Sequence, residues 1–162
     1  MPEIKTNAMR ILDKSKIQYK VHMYEGQDKP VSGTQVAAKI GEAAEKVYKT
    51  LVAHHGPDYF VFVIPVAEEL DLKKAAKAAG VKKIEMLPLK DLQAVTGYIR
   101  GGCSPVGMKK LFPTFMDSQA EHLDTLLVSA GKIGAQMELA PQELANQVRG
   151  RFASLIRDAE ET

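Results

Sequence analysis

Alternating apolar and polar residues mark several short stretches of the chain as β-strands with one buried face. Ile17–Tyr24 alternates in this way, while Val47–His54 and Tyr59–Val66 are more apolar. The last two flank His55–Asp58, whose glycine and proline favour a turn, so the sequence predicts an antiparallel hairpin. The other predicted strands are Val81–Met86, Leu111–Met116, Thr125–Ala130, Ala135–Leu139 and Phe152–Ile156.

Other stretches repeat apolar residues every three or four positions, which is the period of an amphipathic helix. The clearest is Leu72–Ala79, because Asp71 precedes it as an N-cap and Gly80 follows it. Further helices are predicted at Asn7–Asp13, from the Thr34 cap to Ile40, at Leu89–Val95, and from Pro141 to Val148 before Gly150. Because helices and strands intermix, the predicted fold class is α+β with a mixed or antiparallel sheet.

Length and composition are those of an ordinary globular protein. The chain has 162 residues, 45% hydrophobic and 26% charged, which predicts a single domain over residues 1–162. One cysteine excludes an intramolecular disulfide and suits the cytoplasm. The N-terminus lacks a signal-peptide core, and the longest apolar run, Tyr59–Ala67, is too short to span a membrane. A net charge of +2 permits nucleic-acid binding but supports it only weakly.

The sequence lacks the common metal, cofactor and nucleophile motifs. Its four histidines (His22, His54, His55 and His122) follow no HExxH pattern, and there is no cysteine pair. We therefore predict turn or surface positions for these histidines and no bound metal. Neither a Gly-x-Ser-x-Gly motif nor a phosphate-binding glycine motif is present, so no cofactor is predicted.

The segment Gly97–Gly107 combines four glycines with Pro105. Glycine permits positive φ and close approach to the main chain, so the segment is either a tight turn or a cradle of backbone N–H groups for an anion or oxyanion. Cys103 lies inside it. As a nucleophile, Cys103 would have its pKa lowered by those N–H groups, but a small apolar cysteine in a tight loop is more often a packing residue.

Lys49 is the single charged residue within Val47–Ala53, a strand whose two faces are otherwise apolar. A buried ammonium without a partner is unfavourable and has a lowered pKa. A lysine that protects an edge strand from aggregation is the commoner explanation. The alternative is a cation in a cleft, where it binds an anion or orients a carbonyl or phosphate group.

Other lysines are concentrated near the helix Leu72–Ala79 and the glycine-rich segment. Lys73 and Lys77 lie one turn apart on one face of the helix, and Lys109 follows the glycines. Such lysines usually form a solvated surface, but around a cleft they would suit a phosphate backbone. No aromatic residues interleave with them, so the sequence does not predict base stacking.

Six segments occur in order between Ala8 and Ile156: Val47–Leu51, Leu70–Lys77, Thr96–Tyr98, Gly101–Lys110, Val128–Lys132 and Ala140–Leu144. Together they resemble the YbaK family of aminoacyl-tRNA deacylases, which is related to the editing domain of bacterial prolyl-tRNA synthetases. The strand lysine and the Gly-x-x-x-Pro loop carry the likeness to that editing domain. At Cys103 and Ile133 this chain differs from many members of the family. These differences bear on the preference for amino acid and tRNA more than on the fold.

The resemblance implies an α+β domain around a mixed, barrel-like sheet. It implies an enzyme that clears mischarged tRNA, most often Cys-tRNA(Pro). The implied catalytic residues are Lys49, Gly101 and Ser129. The implied substrate-binding residues are Tyr24, Gly102, Cys103, Ser104 and Pro105, and the implied tRNA-binding residues are Lys73, Lys77, Lys109 and Lys132.

The resemblance leaves substrate and partners open. The implied partner is aminoacyl-tRNA, with tRNA(Pro) as the leading candidate. Whether the protein acts alone or docked on prolyl-tRNA synthetase stays open. A thiol on the substrate itself can attack the ester, so the chemistry requires no metal. The alternatives are a deacylase for another mischarged tRNA, such as Ala-tRNA(Pro), and a non-catalytic RNA-binding module on the same fold.

Overall fold

The computed structural model describes residues 5–24 and 33–158. Its helices are α1 (Asn7–Lys14), α2 (Gly33–Ile40), α3 (Leu72–Ala79), α4 (Leu92–Thr96) and α5 (Pro141–Val148). Its strands are β1 (Lys20–Met23), β2 (Tyr48–His55), β3 (Asp58–Pro65), β4 (Glu85–Met86), β5 (Thr114–Asp117), β6 (Leu126–Ser129), β7 (Ala135–Leu139) and β8 (Arg151–Ala153). In this part of the chain, no helix has the length and apolar character needed to cross a membrane.

The strands form two sheets. One has five strands in the order β4-β2-β3-β5-β8, antiparallel on the β4 side and parallel between β3, β5 and β8. The other is an antiparallel sheet of three strands in the order β1-β7-β6. A single parallel bridge between Val47 and Leu127 joins them, so within the described ranges the sheets are not closed as a barrel. The predicted α+β class with a mixed sheet is confirmed.

Local signals account for the elements predicted most accurately. The Asp71 side chain accepts hydrogen bonds from the backbone N–H groups of Lys73 and Lys74, at 2.9 and 3.0 Å, and Gly80 ends α3 with φ of 74°. The hairpin β2–β3 and helix α5 also lie where they are predicted. The left-handed residue after α5 is Arg149, with φ of 54°, one position before the predicted Gly150.

Several predicted strands are shorter in the structure because pairing with a neighbour sets their length. The predicted strand Val81–Met86 is reduced to Glu85–Met86, which pairs only with Ala53 and His54 of β2. The predicted strand Leu111–Met116 begins only at Thr114, directly after Pro113. Proline has no N–H to donate to a sheet, so it marks the strand boundary here.

The core lies on both faces of the five-stranded sheet. Strand β3 is buried on both sides, which explains its continuous apolar sequence. Phe60, Phe62 and Ile64 pack against α3, through Ala75 and Ala76. On the opposite face Val52, Val61, Val63 and Met116 pack against the three-stranded sheet through Leu126, Val128 and Met137.

A polar cluster around Glu138 of β7 lies on the three-stranded sheet. The Glu138 carboxylate accepts hydrogen bonds from Thr125 Oγ1 at 2.5 Å and Lys46 Nζ at 3.2 Å, and His22 Nε2 lies 2.7 Å away. The Thr125 hydroxyl contributes most, followed by His22 and Lys46, and together they lower the pKa of Glu138 to about 2 although burial opposes this. His22 is thus a half-buried partner of a carboxylate, not the predicted turn or surface residue.

Glu138→Gln is expected to flatten the acid limb of the stability curve. Glu138 has a lower pKa in the folded protein than its ordinary value of 4.5, so the wild type is stabilised above that value and loses this contribution as the pH falls towards about 2. The difference in free energy of unfolding between wild type and variant should therefore shrink on acidification. Urea unfolding at several pH values measures it, with exposed Glu121→Gln as control. A difference that stays constant with pH would contradict the assignment.

Candidate active site

A cavity of about 590 Å³ lies between strand β2, the glycine-rich segment and the end of β6. Tyr24, Lys49, Gly101, Cys103 and Ser129 all line it. We call it the β2 cavity. Residues from distant parts of the sequence therefore meet there, as the family resemblance implies.

The β2 cavity runs along an open edge of β2. This strand pairs with β3 along its whole length but with β4 only at Ala53 and His54. The consecutive residues 48–52 line the cavity, although alternate side chains of a strand point to opposite faces. Both faces of the β2 edge thus contribute to the lining.

Lys49 brings a positive charge to this edge. Within the described ranges its ammonium group has no hydrogen-bond or ion-pair partner, and the side chain is only half-buried. Burial lowers the pKa of Lys49, while the charges of Glu69 and Glu68 oppose the effect. Glu69 is itself paired with Arg157, at 2.7 Å. A cation without a bonded partner at the wall of a cavity can bind an anionic or strongly polar group of a ligand.

The glycine-rich segment is held in place by hydrogen bonds on either side of its glycines. The Thr96 hydroxyl donates to Leu92 O at 2.8 Å and accepts from the Tyr98 N–H at 3.0 Å. The Tyr98 hydroxyl donates to Val106 O at 2.5 Å. Gly101 has a φ of 85°, a conformation that side chains rarely adopt. The segment is thus a fixed loop, which suits backbone recognition of a ligand.

The predicted loop residues divide into two groups. Gly101 and Cys103 line the β2 cavity, whereas Gly102, Ser104 and Pro105 are buried and do not. The Gly102 N–H donates to Ile99 O at 3.0 Å, and no such bond from the N–H groups of Gly101 and Cys103 is found in the described part of the chain. These two N–H groups are therefore the ones available to a ligand. The Ser104 hydroxyl accepts from the Val106 N–H, so it supports the loop.

Gly102→Ala is expected to destabilise the protein by about 1–3 kcal/mol, because it overpacks a rigid contact. A Cβ at this position would lie 3.0 Å from Lys132 Cα and 3.1 Å from Ile133 N, both main-chain atoms of the turn after β6. Denaturant unfolding measures the change. Gly56→Ala is a useful comparison because a Cβ there meets nothing within 4 Å, although its φ of 57° adds strain. An unchanged free energy of unfolding in Gly102→Ala would contradict the prediction.

Cys103 is not activated as a nucleophile. It is 9% exposed, and burial raises the pKa of its thiol to about 12, while the Thr96 hydroxyl opposes the shift. Positive electrostatics would be needed to lower the pKa and produce a thiolate at neutral pH. Cys103 therefore serves as a packing residue of the loop that lines the cavity.

Ser129, at the end of β6, combines a structural bond with a position in the cavity wall. Its Oγ accepts a hydrogen bond from the Gly131 N–H at 3.1 Å, which holds the turn after β6. A hydroxyl that accepts one bond can still donate its own proton. Tyr24 is held next to the end of the same turn, because its N–H donates a hydrogen bond to Gly134 O at 2.9 Å.

Gln136, which no sequence pattern predicted as a site residue, pairs with Ser129 across β6 and β7. Gln136 is 6% exposed and lines the β2 cavity, and its Oε1 has no hydrogen-bond partner among the residues that the structure describes. Thr50 Oγ1, also in the lining, is buried without a partner as well. Buried polar atoms are almost always paired, so these two unpaired ones are exceptions, and both belong to residues of one cavity wall. A buried polar position in a strand was the only signal in the sequence.

The predicted tRNA-binding lysines are not gathered at the β2 cavity. Lys73 and Lys77 are exposed on α3, and Lys132 is half-buried in the turn that contacts Gly102. Lys109 lines a different cavity, together with Ala94 and Val95 of α4. None of these four lysines lines the β2 cavity.

Within the described residues, one group of three side chains could in principle ligate a metal ion: His22, Glu42 and Glu138, whose ligand atoms lie within 4.8 Å of one another. Two of them are already hydrogen-bonded to each other, and Lys46 places a competing positive charge on Glu138. This arrangement is explained as an ion-pair network, and it lies outside the β2 cavity.

Comparisons with known proteins fit this geometry. The family model described as "Aminoacyl-tRNA editing domain" matches residues 30–146. EbsC of Enterococcus faecalis, named as a candidate Cys-tRNA(Pro)/Cys-tRNA(Cys) deacylase, is 49% identical over 154 residues, which is 93% of each chain. The range that the family model matches, residues 30–146, includes Lys49, Gly101 and Ser129.

Two crystal structures have the same fold. One, of a candidate trans-editing enzyme for prolyl-tRNA synthetase, has a TM-score of 0.82 at 20% identity and covers 96% of this chain and 100% of that one. The other, of a hypothetical protein, has a TM-score of 0.82 at 20% identity and covers 91% of this chain and 97% of that one. At such low identity these matches concern the fold alone.

Proposed function

Because the chain belongs to the aminoacyl-tRNA editing domain family, we propose that it is a deacylase that clears cysteine from mischarged tRNA(Pro) and, second, from tRNA(Cys). The whole chain, residues 1–162, acts as one editing domain in the cytoplasm, where charged tRNA is used. The observation that carries the proposal is the Lys49 ammonium, which has no bonded partner among the described residues and shares the β2 cavity with Gly101.

The chemistry begins with the thiol of the substrate. A cysteine thiol has a pKa near ~8.5, so a fraction of it is thiolate at neutral pH. The thiolate sulfur attacks the carbonyl carbon of its own ester, and the bond from that carbon to the ribose oxygen breaks. The ribose oxygen takes up a proton and leaves as uncharged tRNA, and the amino acid leaves as a cyclic thiolactone. No side chain of the protein needs to act as nucleophile, which agrees with the protonated thiol of Cys103.

The protein contributes orientation and electrostatics. The thiol and the ester belong to one aminoacyl group, so the attack is intramolecular already, and the protein holds the two groups in the reacting geometry. Effective molarities of about 10⁵ M or more are typical of well-oriented cases. The N–H groups of Gly101 and Cys103 stabilise the negative oxygen that develops on the carbonyl. Lys49 binds the terminal adenosine through its ribose or phosphate oxygens. Gln136 Oε1 accepts a hydrogen bond from the α-ammonium group or a ribose hydroxyl.

A panel of esters tests the proposal. tRNA(Pro) is charged with cysteine, serine or alanine, and the lifetime of each ester is measured with wild type and with Lys49→Ala. We expect rapid loss of the cysteinyl ester and slow loss of the other two, because only cysteine carries a thiol. If the seryl ester is cleaved as fast as the cysteinyl ester, thiol assistance is contradicted. If the alanyl ester is cleaved preferentially, the substrate is a different mischarged tRNA.

The same panel separates an enzyme from a non-catalytic RNA-binding module on this fold. A binding module predicts that wild type binds tRNA but does not shorten the lifetime of any ester, and that Lys49→Ala changes nothing. A lower turnover in a folded Lys49→Ala variant would reject that alternative. Adding prolyl-tRNA synthetase to the assay tests it as a partner, with a higher rate expected if the two proteins hand over tRNA(Pro).

A further inference from the structure

A second cavity, of about 520 Å³, lies beside the β2 cavity. Helix α4 contributes to both: Leu92 lines the β2 cavity, and Ala94 and Val95 line the second one. The other walls come from the β2–β3 turn and from the residues before β5. We call this cavity the aromatic groove, after Tyr59 and Phe112 in its lining.

The fold brings these two aromatic residues together. Strands β3 and β5 run parallel with Val61 opposite Thr114, so Tyr59 and Phe112, each two residues earlier, lie side by side. Their ring centroids are 5.5 Å apart and the planes meet at 68°, in an edge-to-face arrangement. Phe112 also packs against the core, and His54 lies on the other side of Tyr59 with ring centroids 6.4 Å apart. The half-buried Tyr59 ring is thus fixed before any ligand arrives.

The charges of the groove favour an anion. Lys109 and Lys110 both line it and are exposed, and Asp58 is the one acidic residue in the lining. Lys109 Nζ donates to Ala94 O at 3.2 Å, so this ammonium is held over α4. Fixed aromatic rings beside lysines are the usual means by which proteins bind single-stranded nucleic acid, with bases stacked on the rings and phosphates near the cations.

We propose that the aromatic groove binds the single-stranded 3′ end of tRNA, at the nucleotides that precede the terminal adenosine. One base stacks on Tyr59, and Lys109 and Lys110 contact the phosphates. This inference rests on the proposed function, which puts the aminoacyl-adenosine in the β2 cavity. Helix α4 contributes residues to both cavities and is only 5 residues long, about 7–8 Å at 1.5 Å per residue. A few nucleotides span that distance.

The first test measures RNA binding without catalysis. The probe is an uncharged RNA hairpin with a single-stranded CCA end, and the dissociation constant is measured by fluorescence anisotropy. Tyr59→Ala is expected to weaken binding about tenfold, as loss of one stacked base does. Tyr59→Phe keeps the ring and should bind nearly as wild type. Tyr59→Leu, apolar but without an aromatic face, should behave as Tyr59→Ala, and thermal unfolding confirms that each variant is folded.

The salt dependence of the same binding tests the lysines. Lys110→Gln should reduce the slope of log K against log salt concentration by about 0.7, the value of one phosphate contact on a single strand. Lys14→Gln is the matched control, because Lys14 is exposed on α1 and lines neither cavity. An unchanged dissociation constant in Tyr59→Ala, or equal slopes for the two lysine variants, would overturn the proposal.

A second test locates the effect on the substrate. We compare kcat/KM for whole Cys-tRNA with kcat/KM for 3′-O-cysteinyl-adenosine, which lacks the preceding nucleotides. The ratio of the first to the second should be about tenfold lower in Tyr59→Ala than in wild type, because KM for whole Cys-tRNA rises. A ratio equal to that of wild type would overturn the proposal. So would a loss that appears only when prolyl-tRNA synthetase is present, because the groove would then be a protein interface. Absence of ester cleavage in wild type with intact, Tyr59-dependent RNA binding would instead reject the proposed function alone.

Discussion

Replacing Lys49 with alanine is expected to lower kcat/KM for Cys-tRNA(Pro) by about 10- to 100-fold, because it removes a charged hydrogen bond to the terminal adenosine, which contributes about 1.5–3 kcal/mol. The ammonium has no partner in the described part of the chain and lines the same cavity as Gly101. Glu68 and Glu69 act on it only through their charges and form no bond with it, so the ammonium is available to the substrate. Single-turnover decay of labelled Cys-tRNA measures the effect, and Lys14→Ala, on the surface of α1, is the control. Equal rates for Lys49→Ala and wild type would contradict the assignment.

The same side chain should lower stability in the free protein. Burial lowers the pKa of Lys49, so below its ordinary value of 10.5 the unfolded chain holds this proton more tightly than the folded protein does. The stability of the wild type therefore rises with pH between the lowered pKa and 10.5, by linkage. Lys49→Met keeps the aliphatic stem and removes the charge. It should be at least as stable as wild type at neutral pH and lack that rise, which denaturant unfolding across the alkaline range measures.

Gln136→Leu is expected to lower kcat/KM by about tenfold or more, because a hydrogen bond to a charged group contributes about 1.5–3 kcal/mol. It should also leave the free protein as stable as wild type or more so, since Oε1 is buried without a partner and leucine needs none. Stopped-flow kinetics and denaturant unfolding measure the two effects. The control is Gln119→Leu, an exposed site outside the β2 cavity. Loss of stability with unchanged kinetics would make Gln136 a purely structural residue.

A modified substrate identifies the bonded group. N-acetylcysteinyl-tRNA has no α-ammonium group, so wild type should cleave it as slowly as Gln136→Leu cleaves the natural substrate if that group is the donor. If the donor is a ribose hydroxyl, acetylation and Gln136→Leu should lower the rate independently. Measuring the acetylated substrate with Gln136→Leu distinguishes the two outcomes, because the two effects are not additive in the first case and are additive in the second. Lys49 and Gln136 would then share a property typical of ligand sites: each is unsatisfied until the substrate binds.

Local sequence signals were sufficient for the elements whose boundaries depend on neighbouring residues alone. Asp71 and Gly80 define α3 because a cap and a left-handed residue act within one turn of the helix. The hairpin β2–β3 follows from a turn between two apolar runs. Lys49 was recognisable because it is the one charge in its strand.

Contacts between distant segments required the tertiary structure. The length of β4 depends on which residues of β2 it meets, and the sequence does not contain that register. The glycine-rich segment predicted a cradle or a turn, and only its packing against Lys132 and Ile133 separates buried Gly102 from cavity-lining Gly101.

The sequence by itself determined the fold class, the family and the strand that carries Lys49, because these depend on local periodicity and on ordered motifs. The structure decided which groups are left unsatisfied and which aromatic rings meet lysines. Base stacking was not predicted because Tyr59 and Lys109 are far apart in sequence, yet the parallel pairing of β3 with β5 brings Tyr59 to Phe112 and into the same groove. Hydrogen-bond satisfaction and pairing register are properties of the folded chain as a whole, so no local pattern encodes them.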